Sequence, residues 1–525
     1  MTSPAGRRQQ SSGNDPATRL TQAERDFIKE VVAPMKREEV LSELKACLQL
    51  AVQVELATIP IYLFTYYSIV RNAASGEGID PVQAFANKAA GVIMSVAVEE
   101  MLHMSLSANV LFAIGGTPRM YGQAPESYPA LLPGHNVVGP PGPDGDTSER
   151  IPLSKLSFEQ LWHFLQVEYP EGRDAKPQKT DWDTIGQIYS YVRCLLESDQ
   201  LSDADFQRGA AAEAIQPYNY SPNNIDTAYA TGKFDPWKPA PPTASPAWSD
   251  GYPSAAEATR FANYADSHAG KSQLLCVSSR LDAIDAIDTI CDQGEGYPVP
   301  DLGAGAYADT SKGEDSHYMK FLRLQAQFSG YSGCKEKLPS QPTPPPAHFP
   351  AITAEALHDS DLVVAFPDNP TCASYPAELQ PIAHFSSALF QYMLIMVETI
   401  YKVPPHGQKL FFNEGLHRSM IWVMDKYFRT IREIPIGNCQ YMAPVFENVS
   451  LGDQATSFQA LGTAAQATVD AATTLMNKLK ADDPDNPLIH VYTNVAYYAA
   501  LAVGTPKSIV GSARPLPDVG PYWRQ

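Results

Sequence analysis

Two long stretches of the chain are almost free of charge, and the charge they do hold is of a kind that binds metals. Between Ala46 and Val70 the only acidic or basic side chain is Glu55, and between Ala89 and Ile114 the only ones are Glu99, Glu100 and His103. Burying an isolated carboxylate is costly unless something compensates it. Neither stretch contains a Lys or Arg, so a bound cation is one way to resolve the charge. Residues i and i+3 share a helical face, which lets Glu100 and His103 hold one ion together. Metal sites of four-helix bundles draw a Glu from each of two helices and a Glu-x-x-His from each of the other two. Glu55 with Glu100 and His103 makes half of that set. Glu99 points about a quarter-turn away from Glu100 and stands four residues before His103. There it either helps to orient that ring or meets solvent. A single Glu-x-x-His arises often by chance; its setting in two charge-poor helices is what gives this one weight.

The other half of the set is open on spacing alone. Glu168 ends the apolar run "LWHFLQVEYPEG", just before Pro170. In "AIDAIDTICDQGEGYP" the aspartates 282, 285, 288 and 292 read as a solvated helix face. Glu295 stands apart between Gly294 and Gly296, where the backbone bends freely. His317 follows Asp315 and Ser316, both good capping residues. A rival lies in "LIMVETIYKVPPHGQKLFFNEGLHRSM", with Glu398 and a second Glu-x-x-His, Glu414 and His417. Spacing favours that rival over Glu295 and His317. Pro60, one turn past Glu55, removes a helical hydrogen bond to Leu56. The resulting kink either widens the bundle around the site or is a tolerated core feature.

The elements that must position these groups are helical, since 3.6-residue periodicity dominates and alternating strand patterns are scarce. Helices are predicted near 22–34, 37–72, 80–114, 157–169, 182–198, 255–293, 315–330, 378–402, 407–431, 454–481 and 487–503. The third is stopped by Gly115-Gly116-Thr117-Pro118. Loops rich in Pro, Gly and Tyr at 119–156 and 214–254 interrupt the helical core and could form a lid over it. The predicted organisation is a polar lead over 1–35, a bundle over 36–333, a Pro-rich linker over 334–377, and a helical region over 378–525 that packs on the bundle.

Composition narrows the function classes. A chain of 525 residues with 44% hydrophobic and 18% charged content is globular. The net charge of −19, with no basic stripe, argues against nucleic acid or an anionic membrane as partner. The polar first twenty residues hold no apolar leader. The seven cysteines (47, 194, 276, 291, 334, 372 and 439) show no CxxC spacing, so a cytoplasmic, reducing setting is expected and the sequons at Asn219 and Asn448 carry little meaning. The stretches 51–70 and 89–114 are long enough to cross a membrane. Each holds a carboxylate near its centre and lacks basic flanks, so both read as buried bundle helices.

Several segments together resemble a family: the ferritin-like domain proteins grouped with iminophenyl-pyruvate dimer synthases of bisindole pigment pathways. They are "LQLAVQVELATIPIYLFTYYSI", "VAVEEMLHMSLSANVLFAIGGTPRM", "FLQVEYPE", "TIGQIYSYV", "DQGEG" and "SHYMKFLRL", with "HFSSALFQYMLIMVE" and "APVFEN" further on. The resemblance implies an all-α, ferritin-like helical bundle with additional C-terminal helices. It also implies Glu55, Glu100, His103, Glu168, Glu295 and His317 as metal ligands, which moves the second half of the site away from Glu414 and His417. One departure is that Glu295 and His317 are not an i, i+3 pair. Four carboxylates and two imidazoles suit two iron ions, with manganese as the alternative.

The leading expectation is a non-haem, diiron, O2-dependent oxidoreductase acting on a small organic molecule of secondary metabolism. Glu99 and Tyr62 are the candidate catalytic side chains beside the ligands, and Tyr66 and Tyr169 are further candidates for the pocket wall. The resemblance implies a second reading, an oxidative coupling synthase of amino-acid-derived imines. A third is a non-catalytic metal-storage or scaffold protein. The expected partners are a small-molecule substrate and O2, with neither nucleic acid nor membrane, and an oligomer fits as well.

Overall fold

The structure is a computed structural model, and it describes residues 20–70, 80–135, 150–169, 171, 175–206, 216, 274–294, 316–325, 327, 352–403, 411, 419–420, 423–511, 513 and 515–524. Two helices dominate it: α2 (Arg37–Ser68), which follows the short α1 (Gln22–Phe27), and α3 (Pro81–Ala113). Every residue of α2 from Val54 to Ser68 and of α3 from Ala89 to Ala113 is buried. A helix that is apolar all round must be enclosed on all sides. Both are long and apolar enough to cross a membrane, yet 83% and 100% of their most apolar windows are buried within the protein. They are core helices.

Two further helices enclose them. α5 (Ile185–Leu196) packs on α2, α6 (Arg280–Gln293) packs on α3, and α5 and α6 pack on each other, closing a four-helix ring. Local signals set the ends of these helices. Asp80 caps α3 at Val82 N (3.3 Å), with Pro81 in the first turn. Gly115 ends α3 in the left-handed region (φ 83°), where a side chain would strain the backbone. Ser279 Oγ caps α6 by accepting from Asp282 N at 3.1 Å. α4 (Phe158–Val167) and α7 (His317–Gln325) pack together beside the ring, and α7 also touches α3. This pair brings two more helix ends to the bundle.

The later helices are α8 (Ala354–Asp359), α9 (Gln380–Ile400), α10 (Asp425–Ile431), α11 (Ser457–Asp482), α12 (Leu488–Val503) and α13 (Lys507–Val510). α11 pairs with α9 and α12, while α10 reaches back to α2. One continuous apolar core runs through both sets of helices. Among the described residues the only sheet is a small antiparallel hairpin, β1 (Pro435–Gly437) with β2 (Gln440–Tyr441). Its turn residues Asn438 and Cys439 both have positive φ. The all-α, ferritin-like bundle expected from the sequence is the observed architecture.

Several predicted boundaries shift, each for a visible reason. The helix expected over 37–72 stops at Ser68, because Ile69 and Val70 turn extended and pair with 362–364, Val70 N donating to Leu362 O at 2.7 Å. Those partners lie in the Pro-rich stretch 334–377, whose described part also carries α8. Within the helix expected over 255–293, the part from 274 to 279 is not helical. Gln216 there bonds both the N–H and the C=O of Val277, taking the place of helical partners. Residues 255–273 lie outside the described ones. The expected helix over 22–34 ends in a π-helical turn, Ile28–Val32. α2 continues through Pro60.

Of the two possible lid loops, the described part of the first is pinned down. Tyr128 Oη donates to Ala57 O of α2 (3.2 Å), and Glu398 of α9 accepts from Met120 N (2.6 Å) and Tyr121 N (2.8 Å). Most of the second loop, 214–254, lies outside the described residues.

Candidate metal centre

Glu55 lies at mid-length on α2, and Glu100 and His103 lie one turn apart on α3. The end of α4 supplies Glu168 and the first residue of α7 is His317. All five side chains are buried, and they converge on one point. His103 Nδ1 lies 3.8 Å from both Glu55 Oε2 and Glu100 Oε1. His317 Nδ1 lies 2.9 Å from Glu100 Oε1 and 3.4 Å from Glu168 Oε2. The two imidazoles stack with centroids 5.2 Å apart. One ligand atom from each of Glu100, His103 and His317 falls within 4.8 Å of the other two.

Hydroxyls hold the carboxylates in place. Tyr189 Oη of α5 donates to Glu55, Tyr62 Oη of α2 donates to Glu168, and Thr58 Oγ1 donates to Glu100. Tyr62 in turn packs against Phe164 (4.8 Å) and Phe321 (5.4 Å), so an aromatic wall covers this side. The outer nitrogens of both histidines are also occupied. His103 Nε2 faces Gln293 Oε1 of α6 at 3.3 Å, and His317 Nε2 faces Glu99 Oε2 at 2.8 Å. Lys320 Nζ, one turn along α7 from His317, binds both Glu99 oxygens at 2.9 and 2.7 Å.

Burial and close contact shift the titration of every group in the cluster. Burial pushes Glu55 up to about 7, against the hydrogen bond from Tyr189. Burial and then the neighbouring Glu55 push Glu100 up, and burial does the same to Glu168. Burial and then His317 push His103 down to about 4. Burial works to lower His317 as well, yet Glu168, Glu100 and Glu99 outweigh it and hold the ring well above its ordinary value. Burial works to raise Glu99, but Lys320 and His317 hold it below the ordinary carboxylate range. A protonated His317 is thus the positive charge that three acids gather around. Its Nδ1 is buried and faces Glu100 and Glu168. An inner nitrogen of this kind, with two carboxylates beside it and the outer nitrogen tied, matches the donor set of a mixed O/N metal site.

Each candidate residue among the described ones has a definite place. Glu55, Glu100, His103, Glu168 and His317 come together, and Tyr62 borders them. Glu99 is fully buried and turns to His317, whereas the sequence reading offered it to His103 or to solvent. It faces α7 because it sits a quarter-turn around α3 from Glu100. Neither charge-poor stretch holds a basic residue, and the cation that pairs with Glu99, Lys320, comes from another helix. Tyr66 faces the C-terminal helices, where Arg429 donates to its hydroxyl at 2.8 Å. Tyr169 packs on Tyr318 and lines a small cavity of about 40 Å³ with His135 and Trp182. Glu398 caps the backbone at Met120 and Tyr121 and takes no part in the cluster. Asp288 pairs with the buried Arg193 (3.2 Å), so the face read as solvated is partly engaged. Glu295, Glu414 and His417 lie outside the described residues.

Lys320, Gln293, Tyr189 and Thr58 were not legible as parts of this cluster. Lys320 does carry a signal, since it follows His317 by three residues and shares its face. Thr58 stands in the same relation to Glu55.

A family profile described as Ferritin-like matches residues 48–230 and 249–326. No curated protein matches the chain. A solved ferritin-like protein from Caulobacter vibrioides is similar at 18% identity over 73% of this chain and 95% of its own, with a TM-score of 0.37. The matched residues include α2 from residue 48 on and all of α3, α5 and α6 of the helical ring, and the chain therefore carries a ferritin-like domain.

Proposed function

We propose that this chain is a diiron oxidoreductase that uses O2 to oxidise a small organic molecule. Its proposed ligands are Glu55, Glu100, His103, Glu168 and His317, with Glu295 retained from the sequence. The observation that carries the reading is the convergence of three buried carboxylates and two imidazoles from four helices on one point inside a ferritin-like domain. Bound iron would supply the redox chemistry that activates O2. The protein's own part is to hold the donors and to keep water out. Tyr62 and Tyr189 fix the orientation of Glu168 and Glu55, and Phe164 and Phe321 close the apolar wall beside Tyr62. A dry site strengthens the electrostatics around the reacting group.

The test is a metal count on protein loaded anaerobically with Fe(II), followed by O2 consumption with a panel of small aromatic and amino-acid-derived substrates. Two irons per chain and substrate-dependent O2 uptake are expected. Uptake of many irons per chain without substrate turnover would show storage instead. Protein that binds no iron sinks the reading.

A further inference from the structure

His317 has two nitrogens in chemically different settings, and that difference rests on one pair of side chains. Its Nε2 lies 2.8 Å from Glu99 Oε2. Glu99 is gripped through both oxygens by Lys320 Nζ, at 2.9 and 2.7 Å. All three groups are buried. His317 and Lys320 are one turn apart on α7, and Glu99 reaches them from α3, so the three form a short bridge between the two helices. On the opposite side, Nδ1 faces the cluster, 2.9 Å from Glu100 Oε1 and 3.4 Å from Glu168 Oε2.

Resting on the metal reading above, we propose that Glu99 and Lys320 are a positioning pair that holds the His317 ring with Nε2–H outward, so that Nδ1 is its metal-binding atom. A carboxylate held at both oxygens has no freedom to rotate away, and as an acceptor it fixes which nitrogen carries the hydrogen. Gln293 does the same for His103 through a single neutral acceptor at 3.3 Å. The two histidines therefore present the same nitrogen inward but are held by different means. Among the described residues, the His317 side rests on a buried ion pair and the His103 side on a neutral amide, so loss of that pair weakens one ion selectively.

The test uses the full chain stripped of metal and titrated with Co(II), whose visible absorption reports the ligand set, together with ¹⁵N-histidine NMR of the Zn(II)-loaded protein. Wild type should show metal on Nδ1 of His317. K320M should weaken one of the Co(II) ions roughly 10- to 100-fold and change its visible bands, the range typical when a group that orients a ligand is lost. K320R should recover most of the affinity, because a guanidinium also grips a carboxylate by two oxygens. If K320M does not fold, E99L/K320M removes both charges together and leaves neither one buried alone; it should show the same selective loss. Wild-type affinity and bands in folded K320M or E99L/K320M overturn the positioning role, and so does Zn(II) on Nε2 of His317. A wild-type chain that binds no Co(II) or Fe(II) overturns the metal reading itself and this inference with it.

Discussion

Replacing a proposed ligand should make the metal-free protein more stable, and Glu55→Gln is the clearest case. Burial raises Glu55 from its ordinary 4.5 to about 7. An acid whose pKa is higher in the folded state favours folding only while protonated. The sign is therefore that stability falls as pH rises from the unfolded value of 4.5 to the folded value near 7, and stays low above it. A shift of about 2.5 units at ~1.4 kcal/mol per unit is a penalty of about 3 kcal/mol at pH 8.5. At pH 5 less than about 1 kcal/mol of it has developed. Glutamine keeps the shape and carries no charge, so E55Q should remove the penalty. At about 2.1 cal/mol/K of unfolding entropy per residue, a chain of 525 residues unfolding as one unit has about 1.1 kcal/mol/K. Three kcal/mol is then a rise in melting temperature of about 3 °C at pH 8.5, shrinking below about 1 °C at pH 5. Scanning calorimetry on metal-stripped wild type and E55Q at both pH values measures this. Loading with Fe(II) should reverse the order, since wild type gains binding energy that E55Q loses. The reasoning is refuted if metal-free E55Q is the less stable protein at pH 8.5, or if the difference does not depend on pH.

The remaining predictions concern the metal, the bundle and its covering loop. Because Glu168, Glu100 and Glu99 hold His317 protonated against the cost of burial, an incoming ion must displace a proton; affinity should rise with pH between 6 and 8, and calorimetry in buffers of different ionisation heat should show proton release, whereas pH-independent binding refutes it. E100A should lower iron occupancy while leaving the helical circular dichroism intact, and full occupancy in that variant removes Glu100 from the ligand set. Arg193 is buried and pairs with Glu24 (3.2 Å) and Asp288 (3.2 Å), so R193M should cost about 3–5 kcal/mol without changing iron occupancy; an unchanged melting temperature contradicts this. E398A strips two backbone N–H groups at 120–121 of their acceptor, at a cost of about 1–3 kcal/mol per group left unsatisfied. It should speed proteolysis within 119–124, and an unchanged cleavage pattern refutes that role.

What was legible in the sequence followed from local geometry. Glu55, Glu100 and His103 stand out because the stretches 46–70 and 89–114 around them hold no other charge but Glu99, and the i, i+3 relation needs only the period of the helix. Glu168 and His317 were recoverable only through likeness to a family, since they come from a helix end and a helix start far apart in sequence. Glu398 misled for the opposite reason. A carboxylate in an apolar helix can equally be satisfied by loop amides, and nothing in its own neighbourhood predicts that Met120 and Tyr121 will arrive. Lys320, Gln293 and Tyr189 enter the cluster by tertiary packing, which no local pattern encodes. The same holds for Ile69 and Val70, where helical periodicity continues but pairing with 362–364 takes the backbone out of the helix.

The adjacent pair Glu99 and Glu100 shows how one helix assigns two chemical roles to identical side chains. Successive residues on a helix are rotated by about 100°, so the two carboxylates leave α3 toward different neighbours. Glu100 meets Thr58 of α2 and the two imidazoles, and its surroundings offer one hydroxyl and two other acids. Glu99 meets Lys320 and the outer nitrogen of His317. One environment raises the carboxyl and the other lowers it. In the metal-free protein Glu100 lies beside Glu55, which raises it, and His317, which lowers it, while Glu99 is satisfied by a lysine that no metal need replace. A cation bound at the proposed site would stabilise the charged forms of Glu100, Glu55 and Glu168 and leave the Glu99–Lys320 pair as it stands. That division would let the bundle keep its core intact around a group of buried acids, whose burial is the main cost a bound cation would offset.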